Sequence, residues 1–131
     1  MKVIDASALV ELLLGTPRGL QVAEELEDEE ESIHMPHLAD IEVAQALRRL
    51  VAAEAISEQT AGDAIADLAG LAIDRHAHDP LLERIWQLRR NVSAYDAAYV
   101  ALAEVLDAPL LTCDRRLAKA PAAKVVAQLI N

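Results

Sequence analysis

Residues 93–118 read SAYDAAYVALAEVLDAPLLTCDRRLA, and the class of the fold can be inferred from them. The first part of this stretch, residues 93–107, is rich in alanine and leucine with helical spacing, so it predicts a helix. The apolar run at 108–113 predicts a strand, and Asp114 follows it directly. A helix that leads into a buried strand is a unit of an α/β sheet, so the stretch predicts a parallel sheet covered by helices.

The rest of the chain alternates in the same way. Short apolar segments predict four more strands, at residues 2–5 (KVID), 32–36 (SIHMP), 71–77 (LAIDRHA) and 124–130 (KVVAQLI). Helical periodicity predicts helices over residues 7–15, 17–31, 37–55, 57–72 and 79–91, the last with Asp79 as its cap and Pro80 at its first position. We therefore expect one domain over residues 1–131, a three-layer α/β fold whose parallel sheet has helices on both faces.

Composition limits the classes of partner and compartment. The chain has 131 residues, 53% of them hydrophobic but only 2% aromatic, which predicts a core of Leu, Val, Ile and Ala. A net charge of -10 argues against general attraction to nucleic acid, unless a bound divalent cation or a local arginine cluster reverses the sign. The single cysteine, Cys113, rules out an internal disulfide and is expected to be a small core residue. No apolar run is long enough to span a membrane, so we expect a soluble, cytoplasmic protein.

Four acids from remote segments fall at one edge of the predicted sheet. Asp5 and Asp114 directly follow strands, and Glu42 and Asp96 lie early in helices that follow strands. Ligands of such sheets bind beyond the carboxyl ends of the strands, so the four carboxylates are expected to share a pocket. Each acid also has a structural alternative. Asp5 suits a helix cap, Asp96 a capping box with Ser93, Glu42 a helix start and Asp114 a turn.

The chemistry of such a pocket follows from its charge. Carboxylates placed close together repel one another unless a cation binds between them. Oxygen ligands suit Mg²⁺ or Mn²⁺, and the hydroxyls of Ser7 and Thr112 lie close by in the sequence. The site is therefore a candidate for metal-assisted hydrolysis of phosphodiester bonds.

The segments VIDASALVELLLG (3–15), SAYDAAYVALAE (93–104) and LLTCDRRLA (110–118), with the helical Glu42 between them, resemble PIN-domain ribonucleases. The similarity is greatest to the VapC toxin branch of toxin–antitoxin pairs, and it runs over nearly the whole chain. It implies a PIN-like fold, usually a homodimer, that cleaves RNA with Mg²⁺ or Mn²⁺. It also implies inhibition by a VapB-type antitoxin.

The same resemblance assigns roles to individual residues. The acidic quartet, both catalytic and metal-binding, falls on Asp5, Glu42, Asp96 and Asp114. Ser7 and Thr112 fall on the supporting hydroxyls. Arg115 and Arg116 stand where some relatives carry a further acid, and they are the best candidates for RNA contacts.

Other functions remain open at this point. A PIN-like binding module would hold an antitoxin or another partner with little or no catalysis, although a pure scaffold has no need of crowded acids. A phosphoacceptor domain would need an aspartate at the end of SIHMP, which lacks one. The pairs His34/His37 and His76/His78 suggest zinc, but they lack further nitrogen or sulfur ligands, so we interpret them as loop or surface histidines. The sequence does not specify which RNA is cut.

Overall fold

One wholly parallel sheet organises the chain, which a computed structural model describes over residues 1–120 and 125–131. Its strands are β1 (Lys2–Ile4), β2 (Ile33–Pro36), β3 (Asp74–His76), β4 (Leu110–Thr112) and β5 (Ala127–Leu129). Their spatial order is β3-β2-β1-β4-β5, with parallel pairing throughout. All five strands predicted from the sequence are therefore present, and Lys124 of the last predicted segment lies outside the described residues.

Helices connect and flank the strands. They are α1 (Ala6–Leu14), α2 (Pro17–Glu25), α3 (Leu38–Ala52), α4 (Glu58–Gly70), α5 (Leu82–Gln87), α6 (Ala94–Leu106) and α7 (Arg115–Ala118), with a 3₁₀ turn at Asp79–Leu81. The chain first adds β2 and β3 on one side of β1 and then adds β4 and β5 on the other side. Because connections between parallel strands are right-handed, the helices of the first half and those of the second half cover opposite faces of the sheet. The predicted three-layer α/β fold is confirmed. Within residues 1–120 and 125–131, no helix combines the length and apolar character needed to cross a membrane.

The direction of sheet growth reverses between β1 and β4, and this reversal opens a crevice at the carboxyl ends of the strands. The register there is fixed by pairing of Ile4 with Leu111. The backbone N–H of Asp5 also donates to the carbonyl oxygen of Leu111 at 3.1 Å. In parallel sheets, such a switch point is the usual place for a ligand. Asp5 and Asp114, which follow these two strands, therefore flank the crevice.

Helix α6 is the central helix of the fold. Its residues 97–103 are all buried, and four of these seven are alanines. Small side chains let neighbouring elements pack closely against the helix. Asp96 at the start of this helix is thus carried by a rigid element.

Helix bounds differ from the prediction at several places, most clearly at α2, in the segment 79–91 and at α7. Helix α2 ends at Glu25 instead of residue 31, because an acidic run is unfavourable at the negative end of a helix dipole. The helix predicted over 79–91 is a 3₁₀ turn followed by α5, and His78, not Asp79, takes the N-cap position. It ends at Gln87, where the Arg89 guanidinium donates to the carbonyl oxygen of Trp86 at 3.0 Å. Helix α7, which begins after Asp114, was not predicted at all.

Candidate active site

Asp5 is the buried centre of the site. It ends β1 and caps α1, because its Oδ1 accepts a hydrogen bond from the backbone N–H of Ala8 at 3.0 Å. The hydroxyl of Ser7 donates to the same oxygen at 2.6 Å, and that of Thr112 donates to Oδ2 at 2.5 Å. The capping alternative is therefore confirmed for Asp5. The two hydroxyls predicted to support the site both contact its carboxylate.

The same two hydroxyls join the segments that follow β1 and β4. The backbone N–H of Cys113 donates to Ser7 Oγ, and that of Asp114 donates to Thr112 Oγ1, each at 2.9 Å. Because these oxygens accept backbone protons, their own protons remain directed at the Asp5 carboxylate. The network therefore orients Asp5 and fixes the start of the Asp114 segment beside it.

Glu42, on α3, is held by a buried tyrosine. The hydroxyl of Tyr99 donates to Glu42 Oε1 at 2.7 Å. Burial raises the pKa of Tyr99 far above its ordinary value, and the bond to Glu42 adds to the rise, so the phenol stays protonated as a donor. Tyr99 was not among the residues predicted for the site. Its place three positions after Asp96, on the same side of α6, is the signal that could have identified it.

Asp96 and Asp114 lie at helix starts. Half of the capping box predicted as the alternative for Asp96 is present, and Asp114 caps a helix where the alternative was a turn. Ser93 caps α6 by accepting a hydrogen bond from the backbone N–H of Asp96 at 3.1 Å. Asp114 caps α7 through Oδ1, which accepts from the backbone N–H groups of Arg116 at 2.9 Å and Leu117 at 3.3 Å. The Asp96 carboxylate takes no part in the hydrogen bond to Ser93. Asp114 lies at the same crevice as Asp5.

The four acids lie within one another's electrostatic field. Burial raises the pKa of Asp5 above its ordinary value, and the charge of Asp114 raises it further. Burial likewise raises the pKa of Glu42, with added repulsion from Asp96 and Asp5. The pKa of Asp96 rises through burial and then through the charge of Asp114. Each acid is thus linked by repulsion to two others, which closes a ring.

The donor chemistry of the ring fits a hard divalent cation. Every side chain in it offers oxygen atoms, which Mg²⁺ and Mn²⁺ prefer over the nitrogen and sulfur ligands favoured by Zn²⁺. Within residues 1–120 and 125–131, no three His, Cys, Asp or Glu side chains already stand together as a complete set of metal ligands. Both oxygens of Asp5 already accept hydrogen bonds from hydroxyls, and the four carboxylates repel one another. To hold a cation, the acidic side chains would therefore have to turn toward one another around it.

Arg116, one of the two predicted RNA contacts, lies at the site. Its Nη2 is 3.7 Å from Asp114 Oδ2, and its charge partly offsets the rise in the pKa of Asp96. Arg115 is exposed at the first position of α7. Both guanidinium groups are therefore carried by the short helix that Asp114 caps, which keeps them candidates for phosphate contacts.

A cavity of about 950 Å³ borders the site at Glu42. Ser7, Glu42 and Cys113 line it, together with an apolar surface from α1 and α3 and the guanidinium groups of Arg18 and Arg49. Cys113 is half-buried at this surface, and burial raises the pKa of its thiol. The prediction of a small core residue is thus correct only in part, because Cys113 also faces the cavity.

The histidines form a separate contact. His34 Nδ1 lies 2.8 Å from His76 Nε2, and His34 Nε2 lies 2.7 Å from the hydroxyl of Ser32. His34 is buried on β2, so its interpretation as a loop or surface residue is wrong. The buried ring is satisfied by two hydrogen bonds, because β2 and β3 pair side by side.

Repulsion among the acids predicts an effect on stability in the absence of metal. In chelator, Asp96→Asn should raise the free energy of unfolding at neutral pH by up to about 1 kcal/mol, a small effect because Asp96 is half-exposed. Because the pKa of Asp96 is raised in the folded state, its contribution to stability is full below the unfolded pKa of about 3.8. This contribution is lost as the pH rises through the folded-state pKa. The advantage of the variant should therefore shrink as pH falls towards 4.

Thermal melts of wild type and variant over this pH range provide the measurement. The difference between the two proteins is the informative quantity, because His34 acts in the opposite sense. Burial lowers its pKa, so it adds stability above about pH 6.5 that is lost as pH falls through its folded value. An Asp96→Asn variant that melts lower than wild type at every pH would mean that the carboxylate bonds the fold instead of straining it.

Known families and relatives are similar over nearly the whole chain. A family model described as "PIN domain" matches residues 2–123. Ribonuclease VapC1 of Mycobacterium tuberculosis (strain ATCC 25618 / H37Rv) is 50% identical over 120 residues, which cover 91% of this chain and 90% of the relative. Ribonuclease VapC9 of the same strain is 44% identical over 119 residues, which cover 89% and 88%.

Solved structures agree on the fold. PAE2754 from Pyrobaculum aerophilum superposes with a TM-score of 0.70 and 25% identity, covering 95% of this chain and 83% of that one. A chain of a toxin–antitoxin complex from Klebsiella pneumoniae superposes with a TM-score of 0.69 and 17% identity, covering 100% and 98%. At such identities the second structure supports the fold alone.

Proposed function

We propose that this chain, which belongs to the PIN-domain family and to its VapC ribonuclease branch, is the RNA-cleaving toxin of a toxin–antitoxin pair. It hydrolyses phosphodiester bonds of RNA, acts in the cytoplasm and forms a single PIN domain over residues 1–131. The observation that carries the proposal is a group of four carboxylates at the switch point of the sheet: Thr112 links Asp5 to the backbone of Asp114, and Tyr99 links Glu42 to the helix that carries Asp96. Its members are Asp5, Glu42, Asp96 and Asp114.

These four acids would hold Mg²⁺ or Mn²⁺. When bound, such a cation would lower the pKa of a water molecule and stabilise negative charge on the scissile phosphate. The residues of the chain prepare the site for this role. The hydroxyls of Ser7 and Thr112 favour the ionised form of Asp5, and Tyr99 orients Glu42.

The positive groups nearby would receive the substrate. Arg116 lies beside Asp114, and a guanidinium group binds phosphate oxygens through paired hydrogen bonds. The net charge of -10 offers RNA no general attraction, so phosphate contacts must be local. Arg115 and Arg116 are proposed to hold the strand on the side of the site where β4 ends.

A metal requirement is the first test of this function. Purified protein treated with a chelator should lose cleavage of RNA, and Mg²⁺ or Mn²⁺ should restore it, whereas Zn²⁺ should not, because the ligands are all oxygens. The assay follows fragments of a labelled RNA after dialysis and readdition of each ion. Full activity in chelator, or a strict requirement for Zn²⁺, would contradict the assignment of the acids.

The cavity beside the acids suggests how a VapB-type antitoxin would inhibit the enzyme. Its apolar walls suit a helix or strand of a partner, and its acidic border, Glu42, suits a basic side chain. We propose that an antitoxin arginine forms a bidentate pair with the carboxylates and competes with the metal.

Inhibition should therefore weaken at least tenfold when that arginine is replaced by alanine, and it should weaken as the Mn²⁺ concentration rises. The measurement is the inhibition constant of the antitoxin at several concentrations of Mn²⁺. A complex in which all four acids remain open, with no basic group beside them, would refute this mode of inhibition.

A homodimer is also proposed, as the family resemblance implies. The support in the structure is an exposed apolar pair on α5, where Leu82 and Trp86 stand one helical turn apart.

The alternative function, a binding module without catalysis, gains support from the cavity. It does not account for four acids that repel one another.

A further inference from the structure

Two exposed apolar side chains flank the acids in the chain. Tyr95 immediately precedes Asp96, and 66% of its surface is exposed. Ile41 immediately precedes Glu42, and 72% of its surface is exposed. Both line the cavity that Ser7 and Glu42 border. The cavity thus has an aromatic ring and an aliphatic side chain in the same wall as Glu42, one of the four carboxylates that would hold the metal.

The overall charge of the protein makes such apolar contacts important for an RNA substrate. A net charge of -10 repels the phosphates of the strand, so binding must come from local contacts. Stacking of a base on an aromatic ring is one contact that does not depend on charge. The chain has three aromatic residues. Tyr99 is buried, and Trp86 is not among the residues that line the cavity, so Tyr95 is the ring available beside the acids.

We propose that Tyr95, with Ile41, forms a binding subsite for an unpaired nucleobase of a nucleotide that flanks the scissile phosphate. The inference rests on the proposed function, because the acids define where that phosphate lies. The two nucleotides that share the phosphate must lie next to the acids, and the walls of the cavity are there. A base can stack on Tyr95 only if it has left its own stack, so the subsite selects RNA that is single-stranded at this position.

The test combines a change in the enzyme with the matching change in the substrate. The cleaved position of an RNA is first mapped with wild type and Mn²⁺. Two further substrates then carry an abasic nucleotide on one side or the other of that position. The enzymes compared are wild type, Tyr95→Phe, Tyr95→Ala and, as a control, Val105→Ala, which trims an apolar side chain of similar exposure (69%) on the same helix, outside the cavity. Melting temperatures establish that every variant is folded.

On intact RNA, Tyr95→Ala should lower kcat/KM by about fivefold to about a hundredfold, the range expected for one stacked base. The loss should lie mainly in KM, because stacking binds the substrate and the transition state alike. Tyr95→Phe should keep most of the activity, and Val105→Ala should match wild type. With one of the two abasic substrates, wild type should fall to the level of Tyr95→Ala, and the variant should lose nothing more.

Other outcomes overturn the subsite. The subsite is refuted if Tyr95→Ala cuts intact RNA as well as wild type does. It is also refuted if Tyr95→Ala is slower than wild type by the same factor on the intact RNA and on both abasic substrates. A variant that is impaired only in binding antitoxin would assign Tyr95 to a protein contact instead. If wild type cuts no RNA with Mn²⁺, the proposed function itself fails. Cleavage by wild type with an unaffected Tyr95→Ala would remove the subsite alone.

Discussion

Replacing Asp96 by asparagine should lower RNA cleavage by at least about a hundredfold while the protein stays folded. The change removes one charge and one metal ligand, and loss of an outer-shell partner of a metal site alone costs about 10–100-fold. Asparagine has nearly the same shape, and the cap of α6 is retained because Ser93 accepts its hydrogen bond from the backbone of residue 96. The measurement is the initial rate of cleavage at saturating Mn²⁺.

The same helix offers a matched control. Asp107 ends α6 with a left-handed φ of 49°, a conformation that asparagine tolerates. Asp107→Asn therefore removes an equal charge from the same helix, far from the acids, and should leave the rate unchanged. If Asp96→Asn unfolds the protein, Asp96 is structural. If it still cuts RNA at a rate close to wild type, the assignment of the quartet is wrong.

Tyr99→Phe should lower cleavage by about 10–100-fold, the effect expected when a partner that orients a metal ligand is lost. Phenylalanine fills the same buried space and removes only the hydroxyl that donates to Glu42. Glu42 would then be free to turn away from the other acids, so the Mn²⁺ concentration for half-maximal activity should rise. Metal titrations of the cleavage rate measure this shift.

A double-mutant cycle separates positioning from a general loss of structure. If Tyr99 acts through Glu42, Tyr99→Phe should cost little in a protein that already carries Glu42→Gln. A full additional loss in that background would show that the tyrosine affects activity by another route. An unchanged rate for Tyr99→Phe alone would show that the hydrogen bond has no role in cleavage.

The fold could be predicted because its signals are local. The apolar segments that become β1 and β4 are bounded by acids, and the alanine-rich stretch of α6 has helical periodicity. The bounds of the helices depend in addition on the hydrogen bonds that form at their ends in the folded chain. Helix α7 exists because Asp114 caps it, and α5 ends where a guanidinium group satisfies its last turn. Each contact joins residues only two or three positions apart, but the sequence does not show which of the possible local hydrogen bonds forms.

The site could be predicted only as a set of acids. Their positions at strand ends and early helical turns indicated one edge of the sheet, and the structure brings them into mutual repulsion. The bond between Tyr99 and Glu42 joins two helices, so their packing had to be known first. The cavity likewise depends on how α1 and α3 stand relative to each other. For that reason no role of Tyr95 or Ile41 could be inferred from the sequence.

Binding of Mn²⁺ to the free protein shows whether the four acids form a metal site. Electron paramagnetic resonance measures unbound Mn²⁺ during a titration, with no need for RNA or antitoxin. If Asp5, Glu42, Asp96 and Asp114 form the metal site, wild type and Asp107→Asn should bind Mn²⁺ alike, and Asp96→Asn should bind it at least about tenfold more weakly. Equal affinity of wild type and Asp96→Asn, or no binding by wild type at millimolar Mn²⁺, would contradict the account.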